Sequence, residues 1–159
     1  MDIIFLLTFI AILGCGLIAG IFYAFSTFIM QALAKMNPPK GIEAMQNINV
    51  TVLTPWFLGV FMGTAVICLV LAVSTYWTWG EPGTYFLLTG SLLYFIGTFL
   101  FTVIFNVPMN NALEKMDTES SDVSGYWTGT YLTKWTFWNH VRTAAALLGA
   151  VSLIIALLK

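Results

Sequence analysis

Charge is what this sequence has least of: 8% of its 159 residues are Asp, Glu, Lys or Arg, against roughly 25% in an ordinary soluble domain. With 59% hydrophobic residues, such a chain does not present a soluble surface and belongs in a membrane. Six Lys and Arg against seven Asp and Glu leave a net charge of -1 without any gathered cations. That excludes nucleic acid as a partner, because phosphate binding needs clustered Lys and Arg. Cysteine is limited to Cys15 and Cys68, each alone in an apolar run. There is no CxxC spacing for thiol redox chemistry, and both are read as buried small hydrophobes. The single histidine, His140, has no HxxxH or ExxH companion, so the ligand count for a zinc or di-iron centre is not met. No half of the chain repeats in the other, which counts against an inverted-repeat transporter.

What the chain does have is long apolar runs, over 3–30, 52–77, 85–106 and 135–158, each at or above the roughly 20 residues needed to cross hydrocarbon. These predict an all-α fold, an integral-membrane four-helix bundle running up-down-up-down with both termini on the same side. One domain is expected over 1–159, with helices at about 3–35, 39–79, 84–113 and 127–158. No residues remain for a soluble catalytic domain, so function is sought in the bundle or its loops. The first run is read as a retained helix, since it lacks a basic leader and is long for a signal segment. Asn37 and Pro38 suit a helix start, and Pro55 is expected to kink the second helix. TWGEPGT reads as a tight turn with interfacial Trp77 and Trp79, and EKMDTESSDVSGYWTGTY as a mobile loop. Lys35, Lys40, Lys115, Lys134 and Arg142 fall on one side and Lys159 on the other. The positive-inside tendency then places a multi-pass protein of a bacterial inner membrane with loops 1 and 3 cytoplasmic and the termini outside. Gly16 and Gly20, and Gly59 and Gly63, have GxxxG spacing; packing within the chain is expected of them, with a homodimer interface as the alternative.

Plotted by depth, the polar residues gather at one end. Tyr23, Ser26, Thr27 and Gln31 close the first helix, Glu43, Gln46, Asn47 and Asn49 open the second, Asn106, Asn110 and Asn111 close the third, and Asn139, His140 and Arg142 open the fourth. Tyr23 and Thr27, and Asn106 and Asn110, are four apart and share faces, while Trp135, Asn139 and Arg142 form an i, i+4, i+7 stripe. Amides near hydrocarbon need partners. They are read either as a ligand site or as glue between helices, and Arg142 as a functional cation or one that reaches lipid phosphate. His140 lies about 100° round from Asn139, able to border the same pocket or to face away from it.

The segments YAFSTFIMQALAKM with GIEAMQNIN, then FNVPMNNAL, then WNHVRT together resemble the anthrone oxygenase family of small four-helix membrane proteins, over about 16–158. Fungal members are associated with oxidising anthrones to anthraquinones without a recognised metal or flavin; many bacterial members have no assigned activity. The resemblance carries the family's motif positions onto Asn47, Asn49, Asn106, Pro108, Asn110, Asn111, Trp135, Asn139, His140, Arg142 and Thr143. It implies a membrane-embedded oxygenase with dioxygen as co-substrate and no other cofactor. The substrate would be a planar hydrophobic phenolic or polycyclic molecule. His140 would act as base, Arg142 with Asn106, Asn110 and Asn139 would stabilise enolate or peroxide charge, and Trp135 and Tyr23 would flank the ring. The alternatives are a module that binds or transports a quinone, lipid or other hydrophobic molecule without turnover, and a structural subunit.

Overall fold

A computed structural model describes residues 2–118 and 120–159; Met1 and Glu119, the latter inside the expected mobile loop, lie outside the described residues. Among those described, there is no strand. The described residues form five helices: α1 Ile3–Ala34, α2 Pro38–Thr51, α3 Pro55–Ser74, α4 Thr84–Glu114 and α5 Val123–Leu157. Four of them, α1, α3, α4 and α5, are long and apolar enough to cross a membrane. The fifth, α2, buries Gly41, Ile42 and Met45 and exposes Glu43 and Asn47.

The long helices pack in a ring, α1 and α4 each against both α3 and α5. Asp2, the α3–α4 connection at Glu81 and Leu157 of α5 border one crevice, so both termini share an end and the helices alternate in direction. Helices in lipid gain little from apolar burial and are held by close packing and hydrogen bonds. A Cβ placed on Gly90 would lie 2.9 Å from the Gly149 carbonyl oxygen, and one on Gly97 2.7 Å from the Ala145 Cβ, which marks the α4–α5 seam; Gly14 faces the Thr64 side chain across the α1–α3 seam. The expectation that the GxxxG glycines would make these seams is corrected. Gly16, Gly20, Gly59 and Gly63 have nothing within 4 Å of an added Cβ, because their faces point out of the ring.

The single helix expected over 39–79 is two. Asn37 and Pro38 do start α2, with the Asn37 carbonyl accepting from Lys40 and Gly41, although the Asn37 side chain makes no cap bond. The chain then breaks over 52–54. Thr54 is extended at φ -87° and ψ 153°, the conformation that a following proline imposes on its predecessor. Its hydroxyl accepts from the Phe57 N–H at 3.2 Å and restarts the helix at Pro55. At the far end α3 stops at Ser74, and a turn with Gly80 and Gly83 at φ 93° and 82° leads into α4. Part of the expected loop is also helix from Val123 onward, since Val123, Trp127 and Tyr131 are fully covered.

Two apolar cores result. One, between the four long helices, includes Ala11, Ile18, Phe61, Leu71 and Tyr94. The second, where α2 crosses the ends of α1 and α4 and the start of α5, holds Met30, Leu33, Ile42, Met45, Leu113 and Trp127. The polar residues lie between them. Three π turns, Phe25–Ile29, Thr102–Asn106 and Trp127–Trp135, border this layer, and a fourth covers Leu93–Leu100. Such wide turns are uncommon and shift the phase of the side chains that follow.

If Gly90 sets the α4–α5 distance, Gly90→Val lowers stability by about 1–3 kcal/mol through overpacking, whereas Gly16→Val stays within about 0.5 kcal/mol. Thermal melts in detergent distinguish the two, and equal melting would remove the seam assignment.

Candidate functional site

The cavity between the two cores has a volume of about 160 Å³. Its wall is mostly ring and aliphatic: Phe22, Phe25, Phe57, Phe61 and Trp135, with Met45, Ile48, Leu53 and Leu58. The polar lining comes from Asn49, Thr102, Asn110 and Arg142. Residues on both sides of the 52–54 break contribute to it, so the interruption of the second helix is what creates the space. A neighbouring groove between α2 and α4 shares Asn49, Leu53, Val107 and Asn110 with the cavity and continues to Asn111 and Glu114.

Among the described residues Arg142 is the wall's one cation, 5% exposed. Its Nε and Nη2 donate to Asn139 Oδ1 at 3.1 and 2.8 Å, and Nη1 donates to Thr102 Oγ1 at 3.3 Å. The guanidinium sits 3.9 Å from the Phe22 ring centre and 4.9 Å from that of Trp135, within range of cation–π attraction. Asn139, fully buried, is fixed in turn: its Nδ2 donates at 2.7 Å to both the Phe22 carbonyl and Ser26 Oγ. Ser26 Oγ lies 3.2 Å from Thr143 Oγ1, which donates to the Asn139 carbonyl at 2.6 Å. A burial this complete removes the reading in which Arg142 reaches lipid phosphate.

A second network orders the aromatic wall. Asn110 Oδ1 accepts from Trp135 Nε1 at 2.7 Å and from the Tyr131 hydroxyl at 2.8 Å, and Asn49 Nδ2 donates to that hydroxyl at 3.3 Å. Trp127, Tyr131 and Trp135 stack in series with ring centres 5.4 and 5.6 Å apart, and Phe25 meets Trp135 edge-on at 5.7 Å. Gln46 ties α2 to the end of α4 by donating to the Leu113 and Met116 carbonyls at 2.9 and 3.2 Å. Amide side chains thus lock the rings that form the cavity wall.

Of the residues expected at a site, Asn49, Asn110, Trp135 and Arg142 line the cavity, and Asn139 stands directly behind Arg142. Asn106 is fully buried and donates to the Trp135 carbonyl at 3.1 Å, while its Oδ1 has no partner; it supports the wall rather than lining it. Four expectations are corrected. His140 is exposed and does not border the cavity, because one step from inward-facing Asn139 turns a side chain about 100°. Tyr23 is 56% exposed; Phe22, one residue earlier, takes the cavity side, and Ser26 shares that face. Asn47 and Asn111 are exposed. Phe22, Thr102 and Tyr131 were not picked out as site residues from sequence, although Thr102 is four residues before Asn106 and so shares its helical side.

The comparison with protein families bears on this same set of residues. The family model described as anthrone oxygenase matches residues 55–152. The chain belongs to the anthrone oxygenase family. No curated protein and no solved structure matches it. The anthrone oxygenase match takes in Thr102, Asn110, Trp135, Asn139 and Arg142 and stops short of α1 and α2; the cavity side supplied by Phe22, Phe25, Met45 and Asn49 therefore comes from outside the matched region.

Asn139→Leu strands the buried guanidinium and removes the bonds to Phe22 and Ser26, at an expected cost of about 3–5 kcal/mol. Adding Arg142→Met recovers most of that loss, since a buried charge replaced by an apolar side chain of similar length is neutral or stabilising. Thermal melts of the two variants and the double variant check the coupling, and simple additivity would refute it.

Proposed function

We propose that this protein is a membrane-embedded, cofactor-independent oxygenase acting on a planar hydrophobic phenolic or polycyclic substrate of the anthrone type. The observation that carries the reading is a ring-lined cavity between the helices whose polar wall is an immobilised guanidinium, two amides and the Thr102 hydroxyl. An apolar pocket with a few fixed polar groups is the usual form of a small-molecule site. The aromatic walls suit a flat polycycle, and Arg142 is placed for an oxygen that becomes anionic.

In the reaction, the substrate's activated CH2 loses a proton to solvent to give a delocalised enolate whose charge rests on the ring oxygen. That anion passes an electron to dioxygen, the two radicals combine as a peroxide anion at the same carbon, and this takes a proton back from solvent to become the hydroperoxide. Cleavage of the O–O bond, with loss of the second hydrogen of that carbon, releases water and leaves a carbonyl, so that one anthrone and one dioxygen give one quinone and one water. Arg142 stabilises the charge as it develops, and donors fixed in a water-poor site are worth most. Asn139 and Thr102 hold the guanidinium in place, and Trp135, held by Asn110, orients the ring. His140, on the outer face, takes no part.

A second reading, retention of a quinone or similar ring molecule without turnover, draws support from one feature: among the described residues, neither a carboxylate nor an imidazole lines the cavity. Oxygen uptake by the purified protein with an anthrone separates the two. The oxygenase reading expects uptake well above the detergent blank, a loss of roughly 100-fold or more in Arg142→Met, and His140→Ala equal to the unmodified protein. Stoichiometric retention of the ring compound with no uptake would establish binding alone.

A further inference from the structure

Resting on the reading of the cavity as a ring-binding site, we infer that its ligand is bound as an aromatic oxyanion. The ligand ionises on entering the cavity without a side-chain base, its proton released to solvent and its charge placed on Arg142.

Charge around Arg142 is not balanced by the described residues. A cation taken out of water is costly unless it is paired, and among the described residues the acceptors that bond Arg142 are neutral: the Asn139 amide oxygen and the Thr102 hydroxyl. A guanidinium has five N–H donors, and the three bonds to these acceptors leave two. Stacking on Phe22 and Trp135 offsets part of the burial without neutralising the charge. From the elements around it, α1 presents Phe22 and Phe25, α2 presents Met45, Ile48 and Asn49, α3 presents Phe57, Leu58 and Phe61, and α4 presents Thr102, Val107 and Asn110. None of these is titratable. From α5 the facing titratable group is Tyr131, whose hydroxyl hydrogen is already given to Asn110. Glu114 borders only the outer groove, and His140 is exposed on another face. The counter-charge therefore arrives with the ligand.

The rest of the wall selects the kind of anion. Five aromatic side chains and a set of aliphatic ones would desolvate an inorganic anion without returning any contact, whereas a phenolate or enolate buries its ring against them and offers one oxygen to the two free N–H groups. Ionisation is then a matter of differential affinity. The site holds ArO− more tightly than ArOH, so binding lowers the ligand's own pKa, and ArOH becomes bound ArO− plus one proton in the bulk.

The test uses the purified full-length protein in detergent at neutral pH with 2-naphthol, whose free hydroxyl ionises well above that pH and whose anion has its own absorption band. 2-Methoxynaphthalene serves as the matching ring that cannot ionise. The expected result is bound naphthol with the anion's spectrum, close to one proton released per ligand in weakly buffered solution, and binding of the methoxy compound weaker by roughly tenfold to a hundredfold, as loss of a charged hydrogen bond predicts. Arg142→Met should bind naphthol only with its neutral spectrum and lose the preference; Arg142→Lys should restore part of the anion band, and His140→Gln should leave it unchanged. Naphthol bound as the neutral form, or the methoxy compound bound equally well, would overturn the inference and leave a ring-binding cavity. Failure of both to bind would overturn the inference and the cavity reading together. An anion band without oxygen uptake on an anthrone would uphold the inference and remove only the oxygenase.

Discussion

The site depends on a buried guanidinium held by an amide instead of by an acid. A carboxylate partner would neutralise Arg142 and leave a structural ion pair. Asn139 instead accepts two of its N–H groups while remaining uncharged, so position is determined and charge is left over. The cost of that arrangement is spread through neighbours. Asn139 is itself pinned by the Phe22 carbonyl and Ser26, and two ring faces lie against the cation. A cation kept unpaired in an apolar layer stabilises nothing by itself, and the oxyanion ligand proposed above would supply its counter-charge.

Backbone irregularities make room for this. The break before Pro55 divides what would be one long helix, and the cavity occupies the space between the resulting pieces and α4. Three π turns surround the same level, where wide turns alter which residues face inward. Above and below, the packing is conventional: glycine-mediated contact between α4 and α5 on one side, and a compact core under α2 on the other. Rigid cores on both sides hold a polar layer that neither could absorb.

Several elements of this were legible beforehand. The stripe Trp135, Asn139, Arg142 lies where α5 returns to regular helical turns after Trp135, so spacing alone placed its members on one face, and all three turn inward. On α1 the same rule misled. Tyr23 and Thr27 are a polar pair four apart, but the Thr27 hydroxyl donates to the Tyr23 carbonyl on its own helix and needs no partner across the ring. The adjacent face, Phe22 and Ser26, is the one in contact with Asn139. A hydroxyl satisfied by its own helix carries no information about which side is buried. The GxxxG spacings misled for a related reason: small residues permit close approach without requiring it, and the seams fell at Gly14, Gly90 and Gly97 instead.

The sequence by itself determined the solvent, the number of long apolar helices and the level at which polar groups gather, because hydrocarbon admits few charges and demands partners for every amide. It also placed Asn139 and Arg142 on one face. Only the tertiary structure decided that His140 faces outward and that Phe22, Thr102 and Tyr131 complete the setting. It decided, too, that among the described residues no acid lines the cavity beside Arg142. Those facts depend on rotation of each helix about its axis and on the packing of segments distant in the chain, and local spacing records neither.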